Sequence, residues 1–119
     1  MAELSILPGT LNVRAQKGKT WTVPFTIRDD TGALVNLTGY SIAWALSESF
    51  GAAALLSATT SDYLTLNGAL GTGSLSIPPS ITVGIAVGNY VHEFELTEPS
   101  GGKPPFITGL WTVTGEGVL

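Results

Sequence analysis

The sequence predicts a single all-β domain, and three observations lead to that fold class. Glycine and proline are frequent, with 15 and 7 copies among 119 residues, so little uninterrupted sequence is left for long helices. Apolar and polar residues alternate with a period of two in several short segments. These segments recur at regular spacing along a chain whose length suits one domain.

The clearest alternation predicts a strand over residues 21–27. Four apolar side chains share one face of this segment: Trp21, Val23, Phe25 and Ile27. Pro24 lacks an N–H group, so we expect this strand at a sheet edge or with a bulge. The following residues, Asp29-Asp30-Thr31-Gly32, have the composition of a hairpin turn.

The rest of the chain shows the same organisation. Further strands are predicted near residues 11–13, 42–46, 64–66, 75–77, 90–97 and 106–114. Asn67-Gly68 predicts a turn, and Pro78-Pro79 ends the strand before it. Residues 52–67 form the one window long enough for a helix. Their alanine-leucine start favours a turn or two of helix, which the serines and threonines at 57–61 then disfavour.

The strand count and spacing favour an immunoglobulin-like β-sandwich of about seven to eight short antiparallel strands, with a small β-barrel as the alternative. Tyr90 stands at the entry of a late strand. Sandwiches of this kind often have a tyrosine there, with its hydroxyl bonded to the upstream backbone, although an ordinary core tyrosine fits equally well. The predicted core contains six aromatic residues: Trp21, Phe25, Trp44, Tyr90, Phe94 and Trp111.

Composition argues for a chain covered by neighbours. Charged residues make up 12%, against about 25% in an average soluble domain, and mean hydropathy is +0.33. Neutral polar residues offer another way to keep such a surface soluble. The net charge of −4 and the absence of a basic run exclude nucleic acid as an expected partner.

No stretch approaches the roughly 20 apolar residues of a membrane span, so no membrane association is expected. The start Met1-Ala2-Glu3 carries an acid where a secretory signal has positive charge, so we expect synthesis in the cytoplasm.

No catalytic constellation stands out. His92 is the one histidine and lies on the apolar face of its strand, which indicates a hydrogen-bonded core residue. The carboxylates that a metal or a glycosidase would need have turn or solvated-strand settings: Asp29, Asp30, Asp62, Glu93, Glu95 and Glu98. We therefore expect no enzyme activity, no cofactor and no metal.

Two stretches carry a resemblance to a known group of proteins. Residues 28–40 read Arg-Asp-Asp-Thr-Gly-Ala-Leu-Val-Asn-Leu-Thr-Gly-Tyr, a glycine turn followed by a Leu-Thr-Gly run. Later, Gly71-Thr72-Gly73 leads to Gly88-Asn89-Tyr90, a glycine loop at 100–102 and a closing strand with Gly109. This order resembles small virion proteins of tailed bacteriophages, in particular the N-terminal β-sandwich of baseplate upper proteins.

The resemblance implies a non-enzymatic virion subunit that contacts major capsid or tail proteins. The chain stops at Leu119, whereas the baseplate proteins continue. A capsid decoration (cement) protein or a tail accessory is therefore expected, in a homo-oligomer for which a trimer would suit a capsid surface. Residues 10–119 form the predicted domain. Residues 1–9 form an apolar arm, whose predicted assembly contacts are Leu4, Ile6, Leu7 and Pro8.

Three other functions stay open. A carbohydrate-binding module would need two of the three tryptophans exposed in a row, although their aliphatic neighbours favour the core. An enzyme would need His92 in a polar cleft with a carboxylate. A bacterial adhesin would need an export signal, which the sequence start does not show.

Overall fold

The structure is a computed structural model, and it describes residues 9–28, 31–103 and 107–115. Within these ranges there are nine strands: β1 (Gly9–Thr10), β2 (Val13–Gln16), β3 (Trp21–Thr26), β4 (Ser41–Ser47), β5 (Ala54–Thr59), β6 (Leu64–Asn67), β7 (Thr72–Ile77), β8 (Gly88–Thr97) and β9 (Ile107–Thr114). A 3₁₀ turn, Gly68–Leu70, separates β6 from β7. One short helix, α1 (Pro79–Thr82), precedes β8.

The strands form two sheets. The large sheet has the order β1-β9-β8-β4-β5, and β2 also pairs with β9. The small sheet has the order β3-β7-β6. The inner faces of both sheets contribute to one buried apolar cluster. The predicted all-β sandwich is confirmed.

Side-chain alternation explains how the sheets meet. In β3, every second residue is buried, and β8 alternates in the same way from Tyr90 to Leu96. The six aromatic residues assigned to the core from the sequence all lie in this cluster. Pro24 lies in β3, which pairs with β7 alone and is an edge of the small sheet, where a residue without an N–H group is tolerated.

The first predicted strand differs from expectation. The segment 11–13 is not one continuous strand, because β1 ends at Thr10 and β2 begins at Val13. Both strands pair with β9 in parallel and in one register, since Thr10 lies opposite Thr108 and Val13 opposite Trp111. The sandwich is therefore not wholly antiparallel, and its first edge strand is interrupted at Leu11 and Asn12.

The helical turn that the alanine-leucine pattern favours is not formed. Residues 54–59 instead make β5, which pairs antiparallel with β4. Ala58 is buried opposite Trp44, and Leu56 packs against the core opposite Leu46. Pairing with β4 and burial of these side chains outweigh the modest helix propensity of alanine and leucine.

Candidate functional site

The one histidine lies inside the sandwich. His92 is 1% exposed, and both of its ring nitrogens have partners. Its Nδ1 accepts a hydrogen bond from Nε1 of Trp44 at 3.1 Å, and its Nε2 lies 2.7 Å from the carbonyl oxygen of Leu11. Because the indole N–H can only donate and the carbonyl can only accept, the ring is neutral with its proton on Nε2.

Burial lowers the pKa of His92, and the hydrogen bond to the Leu11 carbonyl opposes that effect in part. A second proton on Nδ1 would face the N–H of Trp44, donor against donor. The ring therefore serves as a fixed link between β4 and the N-terminal edge strand. No carboxylate is bonded to it among the described residues, although His92 and Glu93 both line a cavity of about 260 Å³ together with Ser47 and Ser49.

The backbone around Leu11 is arranged for this contact. The Leu11 carbonyl turns toward His92, and the side chain of Asn12 accepts the N–H of Leu110 at 3.0 Å. Gly109 lies opposite His92 in the sheet, and a Cβ at this position would meet the Leu11 oxygen at 1.9 Å. Only glycine leaves room for this approach, which explains the interruption between β1 and β2.

The three tryptophans form one buried cluster with His92. Trp111 lies 5.3 Å from Trp21 and 5.1 Å from Trp44 between ring centroids, and 5.0 Å from the His92 ring. All three indoles are at most 2% exposed, so they offer no platform to a sugar ring. Within the described residues, Nε1 of Trp111 is a buried donor without a hydrogen-bond acceptor.

Tyr90 forms the backbone contact that immunoglobulin-like sandwiches often contain. Its hydroxyl donates to the carbonyl oxygen of Ala86 at 2.6 Å, four residues upstream. The bond ties the connection between α1 and β8 to the start of β8. Tyr90 therefore forms the corner contact and also belongs to the buried core cluster.

The carboxylates named from the sequence as candidate catalytic or metal-binding groups each have different surroundings. Glu93 and Glu95 point outward from β8, and Glu95 forms an ion pair with Lys103 at 2.8 Å. Asp62 accepts the N–H groups of Thr59 and Tyr63, as a turn residue does. Glu98 lies near Tyr40, whose pKa is raised by burial and also by the charge of Glu98.

Asp29 and Asp30 lie outside the described residues. In the part of the chain that the structure describes, no group of three potential metal ligands comes together. Those same residues also contain no helix that is long and apolar enough to cross a membrane.

The predicted arm contacts, Leu4, Ile6, Leu7 and Pro8, also lie outside the described residues. β1 begins at Gly9, which had been assigned to the arm. Gly9 lies on the edge of the large sheet opposite β5, because β1 and β5 are the two ends of the strand order.

The surface feature best suited to assembly is the free edge of β5. β5 pairs with β4 on one side, and no described strand pairs with its other side. Its sequence, Ala-Leu-Leu-Ser-Ala-Thr, contains no charge and no proline, the usual protections of an exposed edge. The other edges carry such protection, since β3 contains Pro24, β2 contains Arg14 and β6 has four residues.

Sequence analysis did not identify this edge, because the alanine-leucine start of this segment could also form a turn or two of helix. Beside β5, the outer face of the large sheet has a shallow depression of about 220 Å³. Ala43 and Ala45 form its floor, with Glu93 and Glu95 along one side. At the turn between β4 and β5, Phe50 is 60% exposed, and Leu55 within β5 is 48% exposed. This end of the sheet is therefore uncharged and apolar along β5, and acidic on β8.

Comparison with known proteins identifies no family for this chain. No protein-family model matches the sequence, and no curated protein matches it. Solved structures do match. CopC from Methylosinus trichosporium OB3b is 16% identical over 98% of this chain and 99% of its own, with a TM-score of 0.48. An immunoglobulin domain of the titin M10–obscurin-like 1 complex is 13% identical over 92% of both chains, with a TM-score of 0.45.

A non-cellulosomal cohesin from Archaeoglobus fulgidus is 14% identical over 95% of this chain and 92% of its own, with a TM-score of 0.37. The chain is an immunoglobulin-like β-sandwich. None of these three structures is a phage baseplate protein, and at such identities they carry no argument about function.

Proposed function

We propose that this chain is a non-enzymatic structural subunit of a tailed-phage virion, docking on the capsid as a decoration protein or on the tail or baseplate. The observation that carries the proposal is the unprotected edge of β5. A monomer in free solution protects such an edge, whereas a subunit in an assembly has a use for it.

The surface chemistry supports the same role. Charged residues are only 12% of the chain, about half of the usual share. Several apolar side chains are also at least half exposed around the sandwich, among them Phe50, Val87 and Leu110. A subunit covered by neighbours in a particle can carry such a surface without aggregating.

The interior supports a scaffold rather than a catalyst. The one histidine is used to join β4 to the N-terminal strand, and the outward carboxylates Glu93 and Glu95 stand beside a shallow depression in the sheet face. A nucleophile, a base and an oxyanion-binding group that converge on one point would support an enzyme instead, whereas both ring nitrogens of His92 are bonded, to Trp44 and Leu11.

The experiment is to find the chain in particles. Virions of the phage that encodes it are purified on a density gradient, and the copy number of each protein is measured by quantitative mass spectrometry. A stoichiometric copy number, related to that of the major capsid or tail protein by a simple ratio, supports the proposal. Absence from purified particles of a lysate that contains the chain contradicts it.

A second variant of the same experiment tests the arm. A chain without residues 1–9 should be lost from particles, because the arm is proposed to pack on a neighbouring subunit. The Gly115→Ala chain is a suitable comparison, since nothing lies within 4 Å of its added Cβ and the change leaves the arm intact. Unchanged occupancy of the shortened chain would exclude the arm as the attachment point.

A further inference from the structure

We infer that the free edge of β5 accepts the N-terminal arm of a second copy of this chain as an added strand. The inference builds on the proposed assembly role and names the contact between copies. The inference is tested on the purified chain, separately from the particle experiment. Its failure would therefore leave the proposed virion role to be decided by the particle experiment.

The free edge of β5 can accept an added strand with an apolar inner face. An open β edge presents a row of unpaired N–H and C=O groups, which an extended segment of another chain can satisfy. On the inner side of β5, Leu56 is half-buried and Ala58 is 1% exposed. Ser57 is exposed on the outer side, opposite Ala45. An added strand therefore needs apolar residues on its inner face and tolerates polar residues on its outer face.

The N-terminal arm has an alternating pattern of apolar and polar residues. Residues 2–7 read Ala-Glu-Leu-Ser-Ile-Leu, and their alternation places Ala2, Leu4 and Ile6 on one face. Glu3, Ser5 and Leu7 fall on the other face, where β5 itself carries the exposed Leu55, so the pattern matches what the β5 edge needs. The arm segment has six residues, which is also the length of β5. Pro8 follows directly and lacks an N–H group, so pairing of the segment ends there, before β1.

The strand order favours a neighbouring copy as the acceptor of the arm. β1 and β5 lie at opposite ends of the order β1-β9-β8-β4-β5, four strand spacings or roughly 19 Å apart. An arm that begins at Gly9 would have to cross a whole sheet face to reach β5 of its own chain. The β5 edge of a neighbouring copy needs no such crossing. The contact is head-to-tail, and it closes into a ring when the rotation between copies allows it.

The sequence contains no cysteine, so every disulfide that forms must join engineered cysteines. Parallel pairing of residues 2–7 along the full length of β5 would place Ser5 beside Ser57, so the test chain carries Ser5→Cys and Ser57→Cys. The control chain carries Ser5→Cys and Ser76→Cys, since Ser76 is equally exposed but lies on β7 of the small sheet. A third chain carries Ser57→Cys alone.

After mild oxidation, we expect the first chain to form most of its disulfides between copies and the two control chains to form few. Sedimentation velocity should show an oligomer for the unmodified chain and a monomer for the Ile6→Asp variant. Glu3→Gln, on the outer face of the arm, should leave the oligomer intact. Circular dichroism checks that each variant keeps its β-sheet spectrum.

Two crosslinking results would overturn the inference, and so would one result on the oligomeric state. One is equal crosslinking of the first chain and the Ser76→Cys control. The other is efficient crosslinking of the Ser57→Cys chain alone, which would show that β5 pairs with β5 of another copy and that the arm is not the added strand. A monomeric unmodified chain at concentrations where particles assemble counts against it in the same way.

Discussion

Nε2 of His92 lies 2.7 Å from the carbonyl oxygen of Leu11, a residue 81 positions earlier in the chain. This contact joins the middle of the large sheet to its interrupted first edge strand, directly after the proposed assembly arm in the chain. The neutral ring is fixed from its other side by Trp44. Stability should therefore depend on the protonation of His92.

The pH dependence has a definite sign. The pKa of His92 is lowered in the folded chain, chiefly by burial, from about 6.5 in the unfolded chain. The unfolded chain therefore binds more protons between these two values. Stability from this group is fully present above about pH 6.5 and falls by up to about 1.4 kcal/mol per pH unit below it, until the folded pKa is reached.

The measurement is the free energy of unfolding in urea from pH 8 to pH 4, for the natural chain and for His92→Gln. Carboxylates titrate in both chains, so the difference between the two curves isolates the histidine. A difference that is constant across this range would show that the ring takes up its proton as readily in the folded chain as in the unfolded chain, which contradicts the lowered pKa.

Gly109 should tolerate no side chain. In Gly109→Ala, the added Cβ would meet the Leu11 carbonyl, so the edge strand must move and its bond to His92 weakens. We expect a loss of about 2 kcal/mol or more, as for a backbone clash with a broken buried hydrogen bond. Gly115→Ala is the matched control, because nothing lies within 4 Å of its added Cβ. Equal stability of the two variants would contradict the close approach.

Trp44 and Trp111 provide a matched pair of indoles. Phenylalanine at either position removes a similar volume from the core, but only Trp44 donates its Nε1 hydrogen to His92. Trp44→Phe leaves a buried acceptor unpaired, whereas Trp111→Phe removes a buried donor that has no acceptor among the described residues. Thermal and urea unfolding should show Trp44→Phe less stable by about 1–3 kcal/mol. The reverse order would mean that the hydrogen bond is not formed.

The tyrosine corner can be tested by removing one oxygen atom. Tyr90→Phe loses the bond to the Ala86 carbonyl and should lower the free energy of unfolding by about 0.5–1.5 kcal/mol. Tyr63→Phe is the comparison, since its ring also packs against the core and its hydroxyl has no hydrogen bond within the described part of the chain. A similar loss of unfolding free energy in both variants would mean that the hydrogen bond of Tyr90 is not the cause of the loss.

Much of the sandwich could be predicted from local pattern. Alternation located β3, β4, β7, β8 and β9, because each buries one face and the pattern reports which side chains are buried. The corner at Tyr90 could be proposed because its position at a strand entry is a local signal. Pro24 indicated an edge strand, because its missing N–H group is also a local signal.

Other features depend on pairing, which the pattern does not encode. Alternation says which face of β2 is buried, but not that its neighbour is β9 or that the pairing is parallel. The environment of His92 depends on Leu11, far away in sequence. β5 was missed because its alanines and leucines favour a helix, and its free edge follows from strand order alone.

The most direct test of the proposed role is a cryo-electron microscopy reconstruction of the particle that contains this chain. We expect density for the two-sheet sandwich on the capsid or tail surface, with a further strand along β5 that leads to the first residues of a neighbouring copy. A reconstruction in which all density is filled by other proteins, from particles shown to be complete, would contradict the proposal that this chain is a virion subunit.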